Sequence, residues 1–388
     1  MNSILTDLKY AQSKQFLVNI FQKNQEVVYT GYVTALDQVE LVLQTYSDTG
    51  LSDGAVYLNL DIIDEVEFDS DDLNNMDFRI NNASEENLID LNKIKMTFAT
   101  DQPLLAQVLN QAVLNDWVIM VMDKSRSHFY EGQIVKLASD HIELAAINKF
   151  NYSDNKIVTL EYADISLIEF QGRELTLQAL IMPQLTGLSH RPSERASTLA
   201  DRAEKLSFAQ KNDTFIAIIP DGDPQMFFVG KVNSMNDTGV VFNLVDMSGQ
   251  FGGYVLMRLQ EIREVIVESD YLQTVKLLVN TNERIGTELQ PVLNDERLFD
   301  DTTDFFVAVL GQESAFKRVL QIRLKDGDSI VGYPSEVTNE RIIFHEIEQN
   351  QITDAIGKSI PIADITQIGF DYLEAHLIEQ QLKQAGDL

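Results

Sequence analysis

The sequence predicts an α+β protein that is mainly β, built as four tandem five-stranded small barrels, each preceded by a helix. Two landmarks that recur about every hundred residues predict this. One is a glycine inside a strand-like run; the other, 32 or 33 positions later, is an apolar signature of the form Ile-x-x-Val/Ile-x-Phe/Val. A fixed separation in four places indicates one supersecondary unit repeated four times. The glycines are Gly31, Gly132, Gly230 and Gly332, and the signatures begin at Ile63, Ile165, Ile262 and Ile365.

The repeat also predicts how this 388-residue chain divides into domains. Units of about a hundred residues have an ordinary domain size. A hydrophobic content of 44% provides apolar side chains for a small core in each unit. We therefore expect four barrel domains, at residues 1–95, 96–190, 191–295 and 296–388.

Each predicted domain opens with an amphipathic helix. In the second domain Leu104, Val108 and Leu109 share one helix face, and Pro103 precedes them. Proline is common at the start of a helix because its missing N–H would have no helical partner there. Similar apolar stripes open the other domains, from Ile4 to Leu8, Leu199 to Leu206 and Phe305 to Leu310.

A β-hairpin follows each predicted helix. Its first strand ends in a polar turn, which is Asp-Gly in the third and fourth domains, a strong hairpin signal. The repeated glycine lies within the second strand and predicts a bend or bulge there. The third and fourth strands flank a loop of variable length, and the apolar signature is the fifth strand. The first strands are predicted at Phe16–Phe21, Trp117–Met122, Phe215–Ile219 and Leu320–Leu324.

The fourth domain resembles the Sm-like (LSm/Hfq) superfamily. Residues 320–332 match that family's opening motif of strand, Lys-Asp-Gly turn and strand with a bend glycine, and Ile365-x-x-Ile368 resembles the end of its second motif. The resemblance implies a helix followed by a five-stranded, SH3-like barrel. Its RNA-contacting residues do not carry over, because acids such as Asp164 and Asp364 stand where the family has an Arg-Gly pair. Carboxylates there argue against binding of uridine tracts.

Charge is the dominant feature of the composition. Sixty acidic residues against thirty basic ones give a formal net charge of −30, which repels nucleic-acid phosphates and anionic lipid. The run from Asp61 to Asp72 holds seven acids and no base. It is either a solvated barrel edge or a docking surface for a basic protein. Its candidate partner-binding residues are Asp64, Glu65, Asp69, Asp71 and Asp72.

Aromatic residues in the variable loops form a second group of candidates. An exposed aromatic side chain at a loop tip often anchors a binding partner, whereas a buried one would close the end of a barrel. The sequence leaves both alternatives open. The residues are Tyr46, Phe150, Tyr152 and Phe251.

No pattern in the sequence predicts catalysis. Motifs for a nucleophile elbow, a phosphate-binding loop and a zinc protease are missing, and the absence of cysteine excludes thiol chemistry. The five histidines show no metal-binding spacing, and the acids around Asp69 lack the glycine and glutamate of a calcium loop. We therefore expect no enzyme activity, no catalytic residue, no cofactor and no metal.

These observations predict a non-enzymatic acidic scaffold or regulatory protein-interaction module. The expected partner is a protein, either basic or a second copy of the chain, and neither nucleic acid nor a membrane is expected. Because the sequence shows no signal peptide and no apolar stretch long enough for a membrane span, the expected compartment is the cytoplasm. The alternatives are a single-stranded RNA-binding protein of the Sm-like type and an acidic mimic of nucleic acid.

Overall fold

Antiparallel strand pairing organises the whole fold. The computed structural model describes residues 2–90, 96–124, 128–222, 226–354 and 356–388, with only the backbone of Asn2. These residues form two compact units, Met1–His190 and Arg191–Leu388. Each unit contains one large sheet and four helices, and the unit boundary coincides with the predicted boundary between the second and third domains.

The helices alternate with groups of strands. The four predicted leading helices are present, and a second helix follows each apolar signature. Ser70 and Ser269 begin two of these second helices: each side-chain oxygen accepts a hydrogen bond from the backbone N–H three residues on, as N-cap residues do. The helices are α1 (Asn2–Lys14), α2 (Asp71–Glu85), α3 (Leu104–Leu114), α4 (Arg173–Leu185), α5 (Leu199–Asn212), α6 (Asp270–Ile285), α7 (Phe305–Phe316) and α8 (Leu373–Ala385).

The first unit contains a sheet of ten strands in the order β5-β1-β2-β3-β4-β10-β6-β7-β8-β9. Its strands are β1 (Leu17–Gln22), β2 (Val28–Leu36), β3 (Glu40–Tyr46), β4 (Ser52–Asn59), β5 (Ile63–Glu67), β6 (Val118–Asp123), β7 (Phe129–Leu137), β8 (His141–Ala146), β9 (Lys156–Glu161) and β10 (Ile165–Phe170).

The second unit contains a sheet of twelve strands in the order β11-β16-β12-β13-β14-β15-β22-β17-β18-β19-β20, with β21 also paired to β19. Its strands are β11 (Glu194–Ala196), β12 (Ile216–Pro220), β13 (Phe228–Met235), β14 (Val240–Val245), β15 (Phe251–Met257), β16 (Ile262–Glu268), β17 (Leu320–Leu324), β18 (Ser329–Val337), β19 (Arg341–Glu348), β20 (Gln351–Ile352), β21 (Lys358–Pro361) and β22 (Ile365–Phe370).

The prediction of four closed, five-stranded barrels of the Sm-like or SH3-like kind is wrong. The four apolar signatures are strands β5, β10, β16 and β22, and each pairs with the first strand of its own hundred-residue segment. The fourth strand, however, pairs with the signature strand of the next segment: β4 with β10, and β15 with β22. Hydrogen bonding therefore continues into one larger sheet. The sequence pattern locates strands but does not specify which edge a strand pairs with.

The cores of the two units also cross the segment boundaries. In the first unit Tyr57 from β4 is buried in one cluster with Ile119 from β6 and Phe170 from β10. In the second unit Tyr254 from β15 is buried with Phe370 from β22. Because side chains of neighbouring segments exclude water from each other, a single segment would expose part of its apolar surface.

The four repeated glycines have a common structural reason. A Cβ atom at each would overlap a backbone carbonyl oxygen of the facing third strand: that of Gln44 for Gly31, and that of Ala145 for Gly132. A Cβ atom at Gly230 would likewise overlap the carbonyl oxygen of Asn243, and one at Gly332 would overlap that of His345. The register of each pairing shifts between the second and the fourth residue after the glycine, so the predicted irregularity lies just beyond it.

Among the residues that the structure describes, no helix combines the length and the apolar character needed to cross a bilayer.

We expect Gly132→Ala to lower the free energy of unfolding of the first unit by about 1–3 kcal/mol, because the new methyl group forces two paired strands apart. Urea unfolding followed by tryptophan fluorescence measures this, since Trp117 is the single tryptophan of the chain. Gly187→Ala is the matched control, because its Cβ would make only an ordinary contact. Equal midpoints for the two variants would contradict the explanation.

Candidate functional sites

The acid-rich run of the first segment lies on β5 and the first turn of α2. Within the described chain β5 is the last strand of its sheet and pairs only with β1, so one side of its backbone has no strand partner. We call the exposed carboxylates around it the acidic edge. The acidic edge consists of Asp64, Glu65, Asp69 and Asp71.

Two neighbouring acids are held by β1 instead. The Asn19 amide nitrogen donates to Glu67 Oε2 at 2.8 Å and to Asp72 Oδ2 at 2.9 Å. Ser70 also donates to Glu67, at 2.9 Å, while it caps α2. These bonds fix the turn between β5 and α2. The carboxylates of the acidic edge therefore stay exposed on an ordered backbone, where the amino terminus of α2 favours negative charge.

Aromatic side chains lie next to this surface. Tyr10 packs edge-on against Phe16 at 5.6 Å and against Phe68 at 6.2 Å between ring centroids. Phe68 lies between Glu67 and Asp69 in the sequence, and Tyr10 and Phe16 are 52% and 40% exposed. The faces of such rings attract cations, as carboxylates do. The surface is therefore suited to groups that combine positive charge with an apolar stem.

The aromatic loop candidates are placed differently from one another. Phe150 is exposed, whereas Tyr152 is buried. Phe251 is half-buried and packs edge-on against Tyr254 at 5.2 Å. Tyr46 is half-buried beside Tyr32 and lines a pocket of the first unit. The structure does not bring the four together into one surface. Phe150 has the exposure expected of a binding anchor, whereas Tyr152 is buried in the loop between β8 and β9, in a unit whose sheet does not form the predicted barrel.

That pocket has a volume of about 390 Å³ and lies between β2, β4, β7 and β10. Five carboxylates line it together with Tyr29 and Tyr46. Lys149 forms ion pairs with two of them, Glu131 at 3.4 Å and Glu174. The second oxygen of Glu131 is buried and has no hydrogen-bond donor within the described residues. The lining carboxylates are Asp48, Asp53, Glu131, Glu169 and Glu174.

Glu169 is the most perturbed of these acids. Its pKa is raised from 4.5 to about 7, chiefly by burial. The hydrogen bond from the Tyr29 hydroxyl lowers the pKa, and the nearby carboxylates of Asp53, Glu174 and Glu131 raise it. The pKa of Glu174 is also raised by burial, against the effect of Lys149. The pocket therefore holds more negative charge as pH rises through neutrality.

The second unit carries different side chains at the matching junction. Ala55 pairs with Phe170 in the first unit, and at the same register Tyr254 pairs with Phe370. Tyr254 is 1% exposed and stacks on Phe370 at 5.3 Å. Counting from the signature, Gly369 and Tyr372 replace Glu169 and Gly172. The charged pocket is therefore a feature of the first unit's side chains, since the strand framework is common to both units.

The sequence did not reveal this pocket. Glu169 occupies a variable position of the apolar signature, and Glu131 precedes the repeated glycine Gly132. From the sequence alone, each of the two glutamates has the pattern of an ordinary exposed residue in a strand. A comparison of the variable positions among the four signatures would have marked Glu169 as an acid in a strand that carries five apolar or small residues.

The structure also brings a serine and a histidine together. Ser335 Oγ lies 2.8 Å from His345 Nε2, and His345 Nδ1 lies 3.2 Å from the carbonyl oxygen of Asp354. Nδ1 therefore donates to the carbonyl, and Nε2 accepts from the serine. The ring is 8% exposed and stacks on Tyr333 at 4.8 Å. Both nitrogens are satisfied by groups that fix β18, β19 and the following turn, which is a structural role.

Among the described residues, no three histidine, aspartate or glutamate side chains converge in a way that would hold a metal ion. No protein-family model matches the chain, and no curated protein matches its sequence.

We expect Glu169→Gln to remove a pH-dependent loss of stability. The folded state holds this proton more tightly than the unfolded chain, so stability falls as pH rises from about 5 to 8. The variant should be about 1–3 kcal/mol more stable than the parent at pH 8 and nearly equal at pH 5. Urea midpoints by Trp117 fluorescence at the two pH values measure this, with Glu161→Gln as the exposed control. If the variant and the parent differed in stability by the same amount at pH 5 and at pH 8, the assignment of the pH dependence to Glu169 would be contradicted.

Proposed function

We propose that the chain is a non-enzymatic, acidic protein-interaction module that binds a basic protein through the acidic edge of its first unit. The observation that carries this proposal is a row of exposed carboxylates on β5 and on the turn into α2, beside a strand edge that no strand of the described chain covers. As a module of this kind it would serve as a scaffold or regulator, and we place it in the cytoplasm.

The charge of the whole chain supports the same proposal. A formal charge of −30 attracts cationic proteins over distances of about a Debye length, ~8 Å at physiological salt, and speeds their association. Local complementarity at the acidic edge then selects orientation. The same field repels phosphate groups, so binding of RNA or DNA is disfavoured.

We expect fluorescein-labelled nonaarginine to bind the full chain, more tightly at 50 mM than at 200 mM NaCl. Neutralising the acidic edge with Asp64→Asn, Glu65→Gln, Asp69→Asn and Asp71→Asn should weaken binding about tenfold, because each exposed ion pair contributes about 0.2–1 kcal/mol. Fluorescence anisotropy measures both effects.

The matched control also removes four exposed carboxylates of the first unit, by Glu26→Gln, Glu85→Gln, Asp101→Asn and Glu161→Gln. It changes the net charge equally and should weaken binding far less. Equal losses in the two variants would show that net charge alone binds the peptide and would contradict the proposal. Tight, salt-sensitive binding of labelled oligouridine would favour the RNA alternative instead.

A further inference from the structure

We infer that the outer side of β5 accepts an extended peptide segment with two arginines four residues apart, Arg-x-x-x-Arg, as an added β-strand. This inference rests on the proposed function, because it specifies the partner's chemistry at the same surface. The second unit contains the arrangement that serves as its template.

In the second unit a short strand covers the outer side of the signature strand. Strand β11 pairs with β16, with Arg195 opposite Ile266 and Ala196 opposite Val265. Arg195 Nη1 lies 2.9 Å from Glu264 Oε2. Arg191, four residues earlier, forms an ion pair with Glu268.

A third carboxylate fixes the beginning of the same segment. The backbone N–H of Arg191 donates to Asp270 Oδ1 at 2.6 Å. Asp270 is the first residue of α6 and is 1% exposed. Three carboxylates, from Glu264, Glu268 and Asp270, therefore hold residues 191–196 along the edge of β16.

Strand β5 presents the same three positions. In the first unit Ile20 pairs with Val66 and Phe21 with Glu65, and a register shift follows. In the second unit Ile218 pairs with Val265 and Ile219 with Glu264, and the same shift follows.

This alignment extends into the helix that comes after each strand. Ser70 and Ser269 are the N-caps, and Asp71 and Asp270 are the first helical residues. The acidic-edge residues Glu65, Asp69 and Asp71 thus occupy the positions of Glu264, Glu268 and Asp270.

The two edges differ in whether a strand covers them. Asp270 is buried beneath the segment that it binds, whereas Asp71, Glu65 and Asp69 are exposed. Within the described chain no strand pairs with the outer side of β5. The first unit therefore shows the carboxylates and the free backbone edge of this arrangement without the segment.

The other two signature strands support the assignment by contrast. Strands β10 and β22 are paired on their outer sides with β4 and β15. Neither strand has three carboxylates at the equivalent positions. All three carboxylates are present only in the two segments whose signature strand is not paired with a fourth strand on its outer side. These positions hold Leu167, Gln171 and Arg173 in one strand and Gln367, Asp371 and Leu373 in the other.

Physical chemistry favours arginine and an extended backbone for the occupant. The guanidinium group matches a carboxylate with two parallel N–H donors and loses little freedom on binding. Backbone hydrogen bonds to the unpaired edge give affinity, while alternate side chains give specificity. The exposed ring of Tyr10 and its neighbour Phe16 add a surface on which arginine stems can pack.

The test uses the full chain and a labelled peptide with the sequence of residues 189–198, Ser-His-Arg-Pro-Ser-Glu-Arg-Ala-Ser-Thr. Its control is an isomer with adjacent arginines, Ser-His-Pro-Ser-Arg-Arg-Glu-Ala-Ser-Thr, which has the same charge. We expect the first peptide to bind about tenfold more tightly by fluorescence anisotropy. Equal affinities of the two isomers would contradict the required four-residue spacing of the arginines. No measurable binding of the first peptide would overturn the whole inference.

Protein variants locate the binding site. Glu65→Gln with Asp69→Asn should weaken binding of the spaced peptide about tenfold, and Glu85→Gln with Asp101→Asn should leave it unchanged. As a rescue, Glu65→Arg with Asp69→Arg should bind a peptide in which both arginines are replaced by glutamate. An unchanged affinity in the first variant, or failure of the rescue, would overturn the assignment to β5.

Backbone methylation tests strand addition. Alternate amides of a strand face the same neighbour, so N-methylation at the position of Arg195 or of Ala196 should weaken binding in one peptide and not in the other. Equal affinities of both methylated peptides and the parent would overturn strand addition. Suppose that the two arginine isomers, or the methylated and parent peptides, bind equally well, while neutralising the acidic edge still weakens binding of nonaarginine. In that case this inference fails and the proposed function stands. Loss of the nonaarginine effect would mean that the proposed function fails.

Discussion

The pairing on the outer side of each apolar signature strand is the constraint on which the rest of this structure depends. An unpaired strand edge exposes backbone donors and acceptors that another strand can satisfy. In β10 and β22 the fourth strand of the preceding segment satisfies them, which merges two segments into one sheet and one core. In β16 the short strand β11 does so. In β5 no strand of the described chain does. The same apolar sequence therefore lies in three different surroundings.

Side chains distinguish the two units where their backbones agree. Both place the fourth strand against the next signature strand in the same register. In the second unit Tyr254 and Gly369 stand at the positions of Ala55 and Glu169. In the first unit Ala55 and Glu169 line a pocket in which Glu169 shares a buried region with other carboxylates. Burying like charges raises the free energy of the ionised state, so this junction loses stability as the pH rises through the pKa of Glu169.

Negative charge has two different consequences in this protein. At the acidic edge the carboxylates are exposed to water, so a cationic partner can reach them. Around Lys149 the carboxylates of Glu131 and Glu174 are largely buried and form ion pairs with it, and burial raises the pKa of Glu174. In the composition, the exposed carboxylates of the acidic edge and the buried carboxylates around Lys149 count equally toward the net charge. The difference in burial gives them different effects: the exposed carboxylates are suited to binding a partner, and the buried ones make the stability of the fold depend on pH.

The amino-acid sequence by itself determined the strands, the leading helices and the recurrence of the signature, because these follow from local periodicity and from glycine at a close backbone contact. It also located the acid-rich run from Asp61 to Asp72. The partner of each strand edge was decided only by the tertiary structure, since β4 shows no local feature that selects β10 over β5. The equivalence of Glu65 with Glu264, and the convergence of Glu131 and Glu169 on one pocket, likewise required coordinates. These contacts join residues far apart in the chain, and their free energies depend on burial and distance that no local pattern records.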